Sequence, residues 1–151
     1  MSAPVLSLKG RALRLLGARE HSRSELERKL KPFEGTPGAL AQTLDDLQAK
    51  GFISEQRVME SVLNRRAAKL GASRIKQELK AKGLDHGVIK LALEELEASE
   101  LDRAQAVWAK KFGSAPKDMK ERGRQLRFLA SRGFSSASIT RVLGPSEQEV
   151  V

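Results

Sequence analysis

The 151-residue chain contains no cysteine and no tyrosine, a single tryptophan, and aromatic residues at only 4%. Without cysteine there is no disulfide framework and no thiolate metal site, and a reducing compartment is the natural setting. With so few rings, the core has to be built from Leu, Ile, Val and Ala. Alternation of apolar and polar residues long enough for a strand is missing. No segment approaches the apolar length needed to span a bilayer, and Met1–Gly10 has no continuous apolar region of the secretory kind. A cytoplasmic protein without membrane contact is expected.

The signatures of several chemistries are absent as well. There is no GxxxxGK[ST] loop to cradle phosphates, no GxGxxG after a strand and no HExxH. The two histidines, His21 and His86, sit beside helix starts at Ser22 and Asp85 and are expected as exposed residues near caps. Glu94, Glu95 and Glu97 crowd one stretch of helix, where they cannot converge as a general acid–base pair would, and read as a solvated face. A non-enzymatic protein without cofactor or metal is expected.

What the chain does contain is a pattern written three times. Leu40 and Leu44 recur as Ile89 and Leu93, 49 residues on, and as Ile139 and Leu143 after a further 50. In the preceding helix Leu26 and Leu30 become Ile75 and Leu79, and the second of these becomes Leu129. A period of this length built from short amphipathic helices marks an array of helical repeats, in which neighbours stack because no unit buries its own apolar face. Helix starts agree with the pattern. Asp85 and Ser135 are N-caps whose side chains can accept from first-turn amides, flanked by the apolar staples Leu84/Ile89 and Phe134/Ile139. In the first unit Thr36 is the expected cap, with Pro37 at the first helical position.

The fold expected is all-α: three tandem three-helix repeats stacked into an elongated, curved array. An arm over residues 1–8 precedes repeats at 9–51, 52–98 and 99–144, and residues 145–151 form a disordered tail. About nine helices are predicted. The first repeat has one from Lys9 to Ala18 with Leu13 and Leu16 inward, one opened by the Ser22-Arg-Ser-Glu25 capping box and stopped by Pro32, and one from Pro37 to Lys50. The second has Glu55–Leu70, Ser73–Lys82 and His86–Leu96; the third has Leu101–Phe112, Asp118–Arg132 and Ser136–Leu143. Trp108, Phe112, Phe128 and Phe134 fall at helical or staple positions and are expected in the core, which leaves no obvious platform for stacking bases.

Charge is the other strong signal. Lys and Arg number 28 against 19 acids, giving +9 and favouring a polyanionic partner. Between Ser61 and Lys82 the seven basic residues face one acid, Glu78; an acidic stretch from Glu94 to Asp102 follows, and residues 110–132 are basic again. Arg65 and Lys69 share a helix face, as do Lys76 and Lys80, while Lys120, Arg124 and Arg127 form a stripe with Leu126 and Leu129 on the core side. Stripes of this kind can follow a phosphate backbone or an acidic groove. The candidate contacts are Arg65, Arg66, Lys69, Lys76, Lys80, Arg124, Arg127 and Arg132.

The run from Gly51 to Leu93 resembles the central repeat of the RecX family of recombinase regulators. Arg66, Lys69, Gly71, Ile75, Leu79, Lys82 and Gly83 fall in that family's order and spacing, as do SRSELERKL in the first unit and KKFG with RQLRFLASRGFSSASITRVL in the third. Met59 departs from the apolar-aromatic pair common there. The resemblance implies a modulator that binds the groove of the RecA filament and spans neighbouring protomers. It would inhibit ATP hydrolysis and strand exchange and influence the coprotease role in the DNA-damage (SOS) response. The partners implied are the RecA filament and single- or double-stranded DNA through its backbone, with this protein a monomer. The rival reading is a basic helical-repeat protein that binds DNA or RNA directly. A base-reading helix should be rich in Asn, Gln, Arg and Ser, and the best candidate, Ser135–Leu143, offers mainly Ser, Thr140 and Arg141.

Overall fold

Apolar residues at helical spacing, punctuated by capping residues, Gly and Pro, give eight α-helices across the residues described, 5–145, in a computed structural model. They are α1 (Leu8–Ala18), α2 (Arg23–Leu30), α3 (Ala39–Ala49), α4 (Glu55–Arg66), α5 (Ala72–Ala81), α6 (His86–Lys111), α7 (Met119–Ser131) and α8 (Ser136–Leu143), with a 3-10 turn at Lys31–Phe33. No strand occurs among the described residues.

The helix count is eight because the predicted helices 86–96 and 101–112 are one. Between them Glu97-Ala98-Ser99-Glu100 contains neither Gly nor Pro, and Ala and Glu are strong helix formers, so nothing interrupts the hydrogen-bond ladder. The resulting 26-residue α6 is a rod about 39 Å long. It serves two cores: Ile89, Ala92 and Leu96 in one, Ala104 in the next.

There are three cores, one per three-helix unit. The first joins Ala12, Leu26, Leu30, Leu40, Leu44 and Leu47 with Ile53, which lies just past the expected boundary at residue 51. The second gathers Val58, Met59, Val62, Ile75, Leu79 and Leu84 around the first half of α6, and the third packs Ala104, Leu129, Phe134 and Ile139. Each fully buried Leu or Ile contributes roughly 1.5–3 kcal/mol of apolar transfer. The repeat-defining positions are these core positions, although Leu93 and Leu143 are only partly buried. In α1 the fully buried residue is Ala12, and Leu13 and Leu16 pack against the core from its edge.

Several local expectations change. Thr36 does not cap α3 through its side chain: Thr36-Pro37-Gly38 forms a turn, the Thr36 carbonyl accepting from Ala39 N at 3.0 Å, and the helix starts after Gly38. The Glu34 carboxylate takes over the capping role, accepting from Leu40 N at 2.9 Å. In α7 the inward residue is Gln125, 1% exposed, and Leu126, one step of about 100° round the helix, is 40% exposed. Of the expected arm, residues 1–4 lie outside the described residues; Ser7 caps α1, accepting from Gly10 N at 3.0 Å. Of the expected tail, residues 146–151 lie outside them too.

Successive units meet through the same contact used twice. The N-terminus of the second helix in one unit seats on the C-terminal glycine turn of the second helix in the next. At the first junction Ser22 Oγ donates to the Lys82 carbonyl at 2.6 Å, and Ser24 lies against Gly83. At the second, Gly71 N donates to the Arg132 carbonyl at 2.8 Å, Arg74 lies against Gly133, and its Nη1 donates to the Ser131 carbonyl at 2.7 Å. Residue 22 stands 49 before 71, residue 24 stands 50 before 74, and Lys82-Gly83 stand 50 before Arg132-Gly133, so the repeat extends to the joints. Gly83 and Gly133 have φ of 72° and 92°, a region that side chains avoid, and a Cβ on Gly133 would come within 2.4 Å of Arg74.

Candidate interaction surface

Each junction is pinned by a buried carboxylate. Glu25 completes a capping box with Ser22, its Oε1 accepting from Ser22 N at 3.1 Å while Ser22 Oγ accepts from Glu25 N at 3.1 Å. The same Oε1 also takes Lys82 Nζ at 3.1 Å, from the next unit, and Oε2 takes Arg19 Nη2 at 2.6 Å. Burial by itself pushes the Glu25 carboxyl up, but the donors from Arg19, the Ser22 amide and Lys82 outweigh it and hold the group down at about 2. At the second junction Glu100 accepts from Ala72 N at 3.1 Å and from the hydroxyls of Ser135 and Ser138 at 3.0 and 2.9 Å. Burial again opposes ionisation, and these donors together with the charge of Arg103 reverse it, lowering the carboxyl below its ordinary value. Arg103 itself donates to the carbonyls of Ala67, Leu70 and Leu96, tying the end of α4 to α6.

His21 is likewise structural. It is 2% exposed, against the expectation of a solvent-facing residue, because its ring is held between the Arg19 carbonyl and Lys29 in the last turn of α2. Its Nδ1 donates to the Arg19 carbonyl at 3.0 Å and its Nε2 accepts from Lys29 Nζ at 3.1 Å, the arrangement of a neutral ring. Burial lowers its pKa, assisted by the charges of Arg19 and Lys29. His86 is exposed.

With the joints fixed in this way, the basic residues take defined places. Arg65 and Arg66, at the end of α4, line an open depression at the first junction with Arg19, Arg28 and Lys82. Only two carboxylates, Glu25 and Glu78, accompany these five cations. Glu78 engages Arg66 at 3.1 Å and, more loosely, Arg65 at 3.7 Å, and its Oε2 is buried without a hydrogen bond. The depression therefore holds more positive charge than it neutralises. Lys69, Lys76 and Lys80 stand outside it on the surface of the second unit, Lys76 half-buried. In the third unit Arg124 and Arg127 line a second shallow depression with Lys120, Asp118 and Glu121. Arg132 caps the end of α7, where its carbonyl receives Gly71.

The eight candidate residues thus form two groups, one around the first junction and the second unit, the other on α7. Lys69, Lys76, Lys80, Arg124, Arg127 and Arg132 have no carboxylate within salt-bridge distance among the described residues. Arg19 and Arg28 join the first group only in three dimensions, being 37 or more residues from Arg65 in sequence. Of the aromatics, Phe134 is buried, and Trp108 and Phe128 pack against the third core, Trp108 donating from Nε1 to Gln125 at 2.8 Å. Phe112 is only half-buried and stands outside that core, against expectation, because it lies just beyond the end of α6. No helix among the described residues is long and apolar enough to cross a membrane.

Comparison with known proteins agrees with this architecture. Residues 54–93 match the second three-helix domain of RecX, and residues 98–143 match the third. The chain is 51% identical over 146 residues to the regulatory protein RecX of Leptothrix cholodnii, covering 97% of this chain and 93% of that one. It is 45% identical over 138 residues to the regulatory protein RecX of Ralstonia nicotianae, covering 91% and 87%. A crystal structure of RecX from Lactobacillus salivarius superposes with a TM-score of 0.76 at 19% identity, covering 90% of this chain and 92% of the other. A second crystal structure of regulatory protein RecX gives 0.75 at 20% identity, covering 89% and 70%. These two structures speak to the fold.

Proposed function

The chain belongs to the RecX family of regulatory proteins, and from that premise we propose that it regulates the RecA recombinase filament. In this reading it is a monomeric, intracellular and non-catalytic protein. It binds the assembled filament and lowers its ATP hydrolysis and strand exchange, and with them the coprotease activity that filaments supply in the damage response. The observation that carries the reading is the distribution of unneutralised cations: the Arg65/Arg66 depression and the unpaired residues of the second and third units. A nucleoprotein groove offers anionic DNA beside protein, and a three-unit array held by fixed joints can engage several protomers along it. Rigid joints matter here, since contacts spread over three units add only if the units keep their spacing.

The experiment is a co-sedimentation of this protein with recombinase filaments formed on single-stranded DNA, compared with recombinase alone and with DNA alone. Retention by filaments at a salt concentration that releases it from bare DNA supports the reading. Equal retention by bare DNA and by filaments, with the same salt dependence, contradicts it. Exchanging Arg65 and Arg66 for Glu should cut filament retention at least about tenfold while leaving the fold intact.

A further inference from the structure

The third unit carries a pair of rings among its cations to which the filament reading assigns no part. Phe112 and Phe128 meet edge to face, with ring centroids 5.4 Å apart and planes at 87°. Three cations surround the pair: Arg132 at 4.9 Å and Lys111 at 5.3 Å from the Phe128 centroid, and Arg124 at 5.7 Å from that of Phe112. All three cations are exposed, both rings are half-buried, and none of the three has a carboxylate within salt-bridge distance among the described residues. Along α7 the residues Lys120, Arg124, Phe128 and Arg132 follow one another at four-residue intervals, so they lie in one row on one helix face. The ring sits midway between Arg124 and Arg132, which are about 12 Å apart along the axis.

The geometry points to a contact for single-stranded nucleic acid on the third unit, with Phe112 and Phe128 receiving an unstacked base and Lys111, Arg124 and Arg132 receiving the phosphates on either side. Single-strand sites combine these two elements, a positive track for the backbone and π faces for bases. The cations that lie over the rings give way to an entering base and turn to its phosphates. A surface cation–ring contact is weaker than a base stacked on the ring, and a planar guanidinium can itself stack on a base. A duplex keeps its bases paired and offers the rings nothing. An acidic peptide could satisfy the cations, but a helix face whose amides are already bonded within the helix gives a peptide backbone no partner, unlike a sheet edge. The inference shares Arg124 and Arg132 with the filament reading, but its test uses the free protein and bare nucleic acid, so the two succeed or fail separately.

The test is fluorescence anisotropy of a labelled oligo-dT with the full chain and no recombinase, over a range of salt concentrations. Phe112→Leu combined with Phe128→Leu keeps apolar bulk but removes both rings. It is expected to weaken oligo-dT binding about tenfold or more, with the salt slope unchanged. Arg124→Gln combined with Arg132→Gln should reduce that slope by about 1.4, roughly 0.7 for each lost phosphate contact. A hairpin duplex of the same charge should bind more weakly than oligo-dT and be indifferent to the Phe substitutions. Thermal unfolding, followed by the single tryptophan, Trp108, establishes that each variant is folded. Unchanged oligo-dT affinity in the folded double Phe variant overturns the proposal, as does equal affinity for hairpin and single strand. A poly-Glu peptide that binds while oligo-dT does not also overturns it and transfers the patch to acidic proteins.

Discussion

The joint between the second and third units can be probed with three glycines that separate backbone strain from steric contact. Gly71 has an ordinary φ of −80°, but a Cβ there would lie 2.3 Å from the carbonyl carbon and oxygen of Gly133 and 2.4 Å from Phe134 N. Gly38 is the converse, with φ of 88° and nothing within 4 Å of an added Cβ. Gly133 combines both conditions. For Gly38→Ala the left-handed conformation costs about 1–2 kcal/mol, partly offset by about 0.4–1 kcal/mol from a stiffer unfolded chain, leaving about 1 kcal/mol. In Gly71→Ala backbone meets side chain with no flexible group to yield, so the two units must part by about 1 Å. That stretches the Gly71 N to Arg132 O bond of 2.8 Å and the Glu100 bond to Ala72 N. Overpacking at about 1–3 kcal/mol and a weakened buried hydrogen bond at about 1–3 kcal/mol give a loss on the order of 3–4 kcal/mol. Urea unfolding followed by circular dichroism measures the total, and hydrogen exchange at the Gly71 amide reports the joint locally. Gly133→Ala should lose at least as much as Gly71→Ala. If Gly71→Ala costs no more than Gly38→Ala, and its amide keeps its protection, the packed joint described here is wrong.

Four further outcomes follow from the same contacts. Arg65→Glu with Arg66→Glu alters exposed residues, so its unfolding free energy should change by no more than about 1 kcal/mol while filament binding collapses; a matching loss of stability would assign these arginines to the fold. Glu25 ionises at about 2 in the folded protein against an ordinary 4.5. Its contribution is therefore complete above pH 4.5 and is lost as the pH falls towards 2, and Glu25→Gln should flatten that part of the stability profile, removing on the order of 3 kcal/mol at neutral pH. His21 is held below its ordinary 6.5, so on acidification the unfolded chain takes up the proton first. Stability should begin to fall below pH 6.5, and His21→Gln should remove that earlier decline without touching the one due to Glu25, as urea titrations at successive pH values will show. Arg103→Met strands three carbonyl acceptors and should cost on the order of 2–3 kcal/mol in the same assay, whereas an unchanged midpoint would mean that water replaces the guanidinium.

Local chemistry was legible in the sequence, and contacts between units were not. Caps at Ser22, Asp85 and Ser135 and the core residues Leu44, Ile75, Leu79 and Ile139 depend on neighbours within a few positions, and they stand where the pattern puts them. The fused α6 escaped because the repeat suggested a break that Glu97-Ala98-Ser99-Glu100 has no residue to make. Glu100 reads like the exposed Glu94, Glu95 and Glu97 beside it, and only Ala72, Ser135 and Ser138, brought in by folding, set it apart. The basic residues show the same limit. Arg74 looks like a neighbour of Arg65 in a charge count, yet it turns to the Ser131 carbonyl, while Arg19 and Arg28 reach the Arg65 depression from another unit.

The central claim, regulation of an assembled recombinase filament, is tested most directly by DNA-dependent ATP hydrolysis. The recombinase is assembled on single-stranded DNA with excess DNA present, and this protein is titrated in afterwards. The account predicts that hydrolysis falls when the protein is far less abundant than recombinase protomers, and that Arg65→Glu with Arg66→Glu does not produce the fall. An unchanged rate at equimolar protein, under conditions where the protein is folded and binds bare DNA, would contradict it.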